Sequence, residues 1–180
     1  MKTFRIILVL FLVTFITSCS KDDAPSEPSL AGEWKLTEGK IENGSIVVQM
    51  DGFPIPVTVN VTGHFAEIGD GNRLHLNGDQ TYHYESDTLI VELTLSFLGS
   101  NEAQQFPIEN FLQDGTWENQ DNKLILKDAE GVAVPYSIVS LTDATLELTA
   151  NIKEMDLPLE LGDMVQSIDM NLRVKFSRIP

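Results

Sequence analysis

The sequence predicts an all-β protein, an antiparallel up-and-down barrel that follows an export signal and a flexible tether. Three observations carry that reading: apolar and polar residues alternate in run after run, Gly-containing turn dipeptides separate the runs, and no segment shows a convincing helical stripe. Thr88–Leu98 sets Leu89, Val91, Leu93, Leu95 and Phe97 on one parity, against Glu92, Thr94 and Ser96 on the other. Period two over this length describes a sheet with one dry face and one wet face.

The chain opens with Lys2 and Arg5, an unbroken apolar run from Ile6 to Val13, and the exit Ile16-Thr17-Ser18-Cys19. A basic head, an apolar stretch of roughly 7–15 residues and small exit residues make a secretory signal, too short to span a membrane. The only cysteine, Cys19, follows Thr17-Ser18 directly. This resembles the lipobox of bacterial lipoproteins, with Ile16 where that motif usually has Leu. The resemblance implies removal of residues 1–18, acylation of Cys19 and contact with a membrane through that lipid. An ordinary signal with an incidental cysteine is the plainer alternative. Ser20-Lys21-Asp22-Asp23 is similar to the Lys-then-acidic export tag of Bacteroidetes surface lipoproteins. That likeness implies an outer-membrane protein displayed on the cell surface, with the periplasmic face as the alternative. Residues 19–29, with Pro25 and Pro28 and no apolar period, read as the lipidated tether.

Without residues 1–18 the chain keeps 162 of its 180 residues, enough for one domain and a tether. Ten basic residues then face 27 acidic ones, a net charge of −17. That sign, with no Lys/Arg cluster anywhere, excludes nucleic acid as a partner, because phosphate binding needs clustered cations. With Cys19 acylated, no thiol is left for a disulfide or for catalysis.

The domain is expected over residues 30–180. After Leu30, Val57, Val59 and Val61 alternate with Thr58, Asn60 and Thr62, and Leu146 and Leu148 with Thr145, Glu147 and Thr149. Ser167–Ser177 sets Ile168, Met170, Leu172, Val174 and Phe176 against Asp169, Asn171, Arg173 and Lys175. Asn43-Gly44, Asp51-Gly52, Asp70-Gly71, Asn77-Gly78, Asp114-Gly115 and Glu130-Gly131 read as hairpin turns, since these dipeptides supply positive φ. The pattern gives about nine or ten short strands in a meander. Glu154–Val165 has room for a short helical turn, limited by Pro158 and Gly162. So many strands must close or fold over to protect their edges, which favours a barrel, with a two-sheet sandwich as the alternative.

Leu30-Ala31-Gly32-Glu33-Trp34-Lys35-Leu36 carries Gly-x-Trp at the start of the first strand, and Phe176-Ser177-Arg178 lies near the end. Asp114-Gly115-Thr116-Trp117, Asn122-Lys123-Leu124-Ile125-Leu126 and Leu141-Thr142-Asp143-Ala144-Thr145-Leu146-Glu147-Leu148 fall between them. Together these resemble the lipocalin-like domains of Bacteroidetes lipoproteins, within the calycin group. The resemblance implies that Gly32, Trp34 and Arg178 are a structural signature, with the late arginine packed over the tryptophan at the barrel floor. Parity agrees, placing Arg178 in step with Phe176 and Val174 while Arg173 points out.

Such a barrel implies a small hydrophobic or amphipathic ligand, held among inward chains for which Val91, Leu93, Leu95, Phe97, Leu172, Val174 and Phe176 are the candidates. The same residues suit a filled core equally well, which leaves a structural or protein-interaction module of an outer-membrane assembly as the alternative. The extra length between Ile41 and Gly71, around Phe53-Pro54-Ile55-Pro56, suits an elaborated hairpin at the mouth. Phe65, Phe106 and Phe111 read as packed loop anchors, with an entrance lining as the alternative.

No catalytic site and no cofactor is expected. His64, His75 and His83 have no metal-ligand spacing, and His83 between Tyr82 and Tyr84 should face away from both. Asp70-Gly71-Asn72 lacks the acidic ligands of a calcium loop. Nucleophile-elbow, phosphate-loop and dinucleotide motifs do not occur.

Overall fold

The computed structural model describes residues 28–49, 54–151 and 165–180. Among them are eleven strands: β1 (Gly32–Val48), β2 (Val57–Ile68), β3 (Arg73–Leu76), β4 (Thr81–Glu85), β5 (Leu89–Phe97), β6 (Ser100–Pro107), β7 (Gly115–Gln120), β8 (Lys123–Asp128), β9 (Ala133–Leu141), β10 (Thr145–Asn151) and β11 (Val165–Arg178). All pair antiparallel, in the order β11-β10-β9-β8-β7-β4-β3-β1-β2-β5-β6, and β11 returns to pair with β1. Eight of them, without β2, β5 and β6, therefore close into the barrel that the alternation predicts.

The three strands outside the ring follow from β1 changing partner along one edge. Gly32–Lys35 pairs with β3 and Lys40–Val48 with β2, while the other edge stays with β11 from Trp34 to Val48. Both β2 and β3 run antiparallel to β1, so they are halves of one strand broken at residues 69–72. β4 and β5 are likewise halves of one strand broken at 86–88, and β6 and β7 at 108–114. The chain is an eight-strand meander in which three strands each break once. Lower halves complete the ring; upper halves stand beside it as an open sheet of β1, β2, β5 and β6. These breaks are why eleven strands form where about nine or ten were expected.

Asn72 stitches two of the breaks together. It is 1 % exposed, and its Nδ2 donates to the Gly69 and Thr88 carbonyls at 3.1 and 3.0 Å. Its Oδ1 accepts from the Tyr84 hydroxyl at 3.2 Å and from the Asp87 amide at 3.3 Å. One buried amide thus pairs the Asp87 N–H and adds a second bond to two carbonyls that the turns already engage. Asp70-Gly71 is the turn beside it, an offset between strands running the same way and not a hairpin.

Two other expected hairpins are corrected in the same manner. Asn43-Gly44 lies inside β1, where Asn43 takes φ 49° and the register slips against both β11 and β2, a β-bulge. A Cβ on Gly44 would stand 2.7 Å from Met170 Cγ and 2.8 Å from the Val61 carbonyl oxygen, so close approach also calls for glycine there. Asp114-Gly115 opens β7. Asn77-Gly78 and Glu130-Gly131 do join strands, β3 to β4 and β8 to β9. Leu98-Gly99 and Asp121-Asn122 were not expected as turns, yet all four residues have positive φ and connect β5 to β6 and β7 to β8. Asp51-Gly52 lies outside the described residues, as does the possible helical turn at Glu154–Val165 except for Val165, which opens β11.

The core fills the ring. Leu36, Leu74, Leu124, Leu146, Leu148, Met170 and Phe176 are all at most 1 % exposed. Outside, charges pair across strands: Arg173 Nε meets Glu147 Oε1 at 2.5 Å, the outward orientation expected from parity.

Candidate functional site

The lower end of the barrel is sealed. Trp34, fully buried, donates through Nε1 to the Leu30 carbonyl at 2.8 Å. Trp34 and Arg178 face each other in the β1–β11 ladder, and the guanidinium carbon sits 4.1 Å from the Trp34 ring centroid. Arg178 also donates through Nη1 to the Ala31 carbonyl at 3.0 Å and through Nη2 to that of Ser29. The guanidinium therefore stacks on the indole and ties down the entering chain at once, about 0.5–2 kcal/mol of cation–π attraction with hydrogen bonds added.

The upper end, among the described residues, carries an opening. β8 rises to Asp128, the β8–β9 turn follows it, and the 108–114 segment is held against β4 through Phe111 and Asp114. The β4–β7 seam is short: only Thr81–Thr116 and Tyr82–Gly115 are paired. Tyr82, Gly115 and Asp128 consequently stand in one row across β4, β7 and β8. Gly115 fills none of the space between its neighbours, and a Cβ there would collide with the Lys127 carbonyl. Beside this row lies a cavity of about 170 Å³, walled by Tyr82, Tyr136, Leu126 and Val134 and covered in part by Phe111 and Leu112. Asn110, Gln113, Asp128 and Glu130 supply its polar groups.

Three tyrosines converge beneath this mouth. Burial raises all three hydroxyls above the ordinary phenol range, and Tyr82, with Asp128 and Asp114 adding to the effect, is pushed up to about 12. They are neutral donors and acceptors at physiological pH, not bases. Phe111 anchors the covering segment, its ring edge-on to Phe65 at 5.7 Å and to Tyr84 at 5.8 Å. Phe65 in turn lies against Gly39, where any Cβ would run into its ring. At Phe111, then, the anchor and the entrance lining are the same side chain. Phe106 stands apart on β6, opposite Val91.

The expected lining divides between the two parts of the fold. Leu172, Val174 and Phe176 lie on β11 and are buried in the ring. Val91, Leu93, Leu95 and Phe97 lie on β5, in the open sheet, because the break at 86–88 carries that half-strand off the ring. None of the seven lines the mouth cavity. Cys19 and residues 1–18 are outside the described residues. Phe111 was expected as a packed loop anchor or an entrance lining, but Tyr82, Asp128 and Tyr136 were not singled out as a site from sequence. Their spacing has no motif, and only the Tyr82/Tyr84 alternation around His83 hinted at inward phenols.

His83 faces outward, its ring 5.9 Å from that of His75 and its Nδ1 2.7 Å from Asp114 Oδ1. The same Asp114 oxygen accepts the Tyr84 amide at 3.1 Å, fixing the end of the covering segment on β4. No three His, Cys, Asp or Glu among the described residues stand together as a metal site.

A family model described as a lipocalin-like domain matches residues 30–148, well over half of the chain. The chain belongs to that family. No curated protein and no solved structure matches it. The matched span of the lipocalin-like domain begins below Trp34 and ends on β10, and β11, which follows it, closes the ring. A lipocalin-like barrel is in general a binding fold for small hydrophobic molecules, not an enzyme fold.

Proposed function

We propose that this lipocalin-like protein binds one small amphipathic molecule at the barrel mouth and works as a lipid-anchored protein of the outer membrane, displayed on the cell surface. The cavity of about 170 Å³ at the top of the ring carries the binding reading. An apolar cavity of roughly 150 Å³ accepts a benzene-sized guest. The occupant is therefore compact, its apolar part against Phe111, Leu126 and Val134 and its polar part toward the rim. The anchoring reading rests on the signal at 1–18, Cys19 and the Lys21-Asp22-Asp23 tag, with a lipid contributing about 0.8 kcal/mol per buried CH₂.

Mass spectrometry of an organic extract tests the binding reading, using protein purified from its native membrane and a mock purification from a strain lacking it. A stoichiometric small molecule that accompanies the protein is expected; an empty extract overturns the reading.

One observation favours the alternative, a filled-core interaction module of an outer-membrane assembly. β6 ends the open sheet, and Ser100–Gln105 along it are exposed, an unpaired edge among the described residues. Exposed edges accept a further strand. Photocrosslinking from Gln104 that captures one defined partner, and loses it in Ala103→Pro, together with an empty extract, would select this reading.

A further inference from the structure

Among the described residues the mouth is acidic: Asp128 and Glu130 contribute to its lining, and no described Lys, Arg or His does. Lys127, the nearest base along β8, has the opposite parity and is exposed on the outer face. Asp128 Oδ1 accepts the Glu130 and Val132 amides, both at 2.9 Å, which holds the carboxylate at the start of the β8–β9 turn. Its Oδ2 takes no hydrogen bond among the described residues. Tyr82 forms wall at only 4 % exposure, and no hydrogen bond satisfies its hydroxyl among the described residues either. The hydroxyl is not sealed away from solvent, so a ligand in the mouth can pair with it in place of water. The upward push on Tyr82 from Asp128 and Asp114 shows that their field reaches the cavity wall.

We propose that the mouth selects a small organic cation, a primary or secondary ammonium on a body about the size of one aromatic ring. This rests on the mouth being the ligand site. The ammonium faces Asp128, which offers the free oxygen, and the Tyr82 hydroxyl oxygen accepts a further N–H. The ring packs on Phe111, Leu112 and Val134, where the aromatic faces of Phe111 and Tyr82 also attract a cation. A carboxylate of the same size would bring a third negative charge beside Asp128 and Glu130, and with water partly excluded that repulsion is felt at close range. A long acyl chain exceeds the space. The selection is therefore by charge sign and by size, set by residues of three different strands and the covering segment.

The test uses three probes of equal size that differ at one end: phenethylamine, 2-phenylethanol and phenylacetate. Each is titrated into the detergent-solubilised full chain while the methyl resonances of Leu112, Leu126 and Val134 are followed. Phenethylamine is expected to bind about tenfold or more tightly than the other two, with an affinity that falls as salt is added. Asp128→Asn keeps an acceptor for the two turn amides, and it is expected to weaken phenethylamine far more than 2-phenylethanol, so that the advantage disappears. Glu130→Gln, at an exposed turn position, gives a smaller loss of the same sign and serves if Asp128→Asn does not fold. Equal or tighter binding of phenylacetate or 2-phenylethanol, with the same methyls moving, overturns the cation selection and leaves the mouth as a binding site. If no probe moves these methyls, the mouth is not the site and the binding reading falls with it.

Discussion

Gly32 leaves open the volume that Arg178 occupies: a Cβ at residue 32 would collide with Arg178 Nη1. Gly32 also takes φ 147°, a conformation that side chains disfavour. Gly-x-Trp at one end of the domain and arginine at the other are therefore one physical unit. Gly32→Ala should displace the guanidinium from its bonds to Ala31 and Ser29 and cost about 1–3 kcal/mol of unfolding free energy. Arg178→Lys, which loses the planar fork, should cost about 1–2 kcal/mol. Because both act on the same contact, the double variant should lose less than the sum in urea unfolding. Strict additivity would show that the two residues are not coupled.

Trp34→Ala removes the largest buried side chain of the floor and leaves Arg178 without its stacking surface. A loss of about 3–5 kcal/mol is expected. A loss under about 1 kcal/mol in the same assay would mean that the floor does not hold the barrel together.

Asn72→Ala deletes four hydrogen bonds in a site that is 1 % exposed. The Tyr84 hydroxyl and the Asp87 amide lose their partners and the Gly69 and Thr88 carbonyls each lose one of two bonds, for an expected cost of about 2–3 kcal/mol. Hydrogen exchange should quicken first at Asp87 and Thr88, where the third strand breaks. Unchanged exchange there would remove Asn72 from its role as the stitch.

Asp114 and Asp87 titrate below the ordinary carboxylate value of 3.8. The His83 ring and the Tyr84 amide hold Asp114 down, and the Gly71 and Thr88 amides hold Asp87. A depressed folded pKa contributes stability above the unfolded value and loses it as pH falls through the folded one. Stability should therefore decline below about pH 4, modestly, since both carboxylates are solvated. Urea midpoints between pH 7 and pH 3 should fall less steeply in Asp114→Asn and Asp87→Asn. Profiles that superimpose on the parent's would contradict this assignment.

Cys19→Ala should abolish acyl labelling and release the chain from membranes. Normal labelling in that variant would place the lipid elsewhere.

The dry faces of this protein were readable residue by residue. Leu172, Val174 and Phe176 are buried and Arg173 is paired outside, as period two requires, because burial on one face imposes that alternation whatever the sheet does next. What alternation does not encode is which sheet a strand joins, so Val91 and Leu93 looked like barrel wall. Turn chemistry is similarly ambiguous: Asn43-Gly44 meets the same demand for positive φ in a bulge as in a hairpin. The mouth was the least legible part. Tyr82, Phe111, Asp128 and Tyr136 come from separate elements, and only the broken strands and the covering segment bring them together.

The domain also has poles. Leu30 lies under Trp34 at the sealed end, whereas Asp128 and Phe111 stand at the other. If Cys19 carries the proposed lipid, the chain enters the domain at its sealed end, so the floor is the pole where the anchor joins and the mouth the pole opposite it.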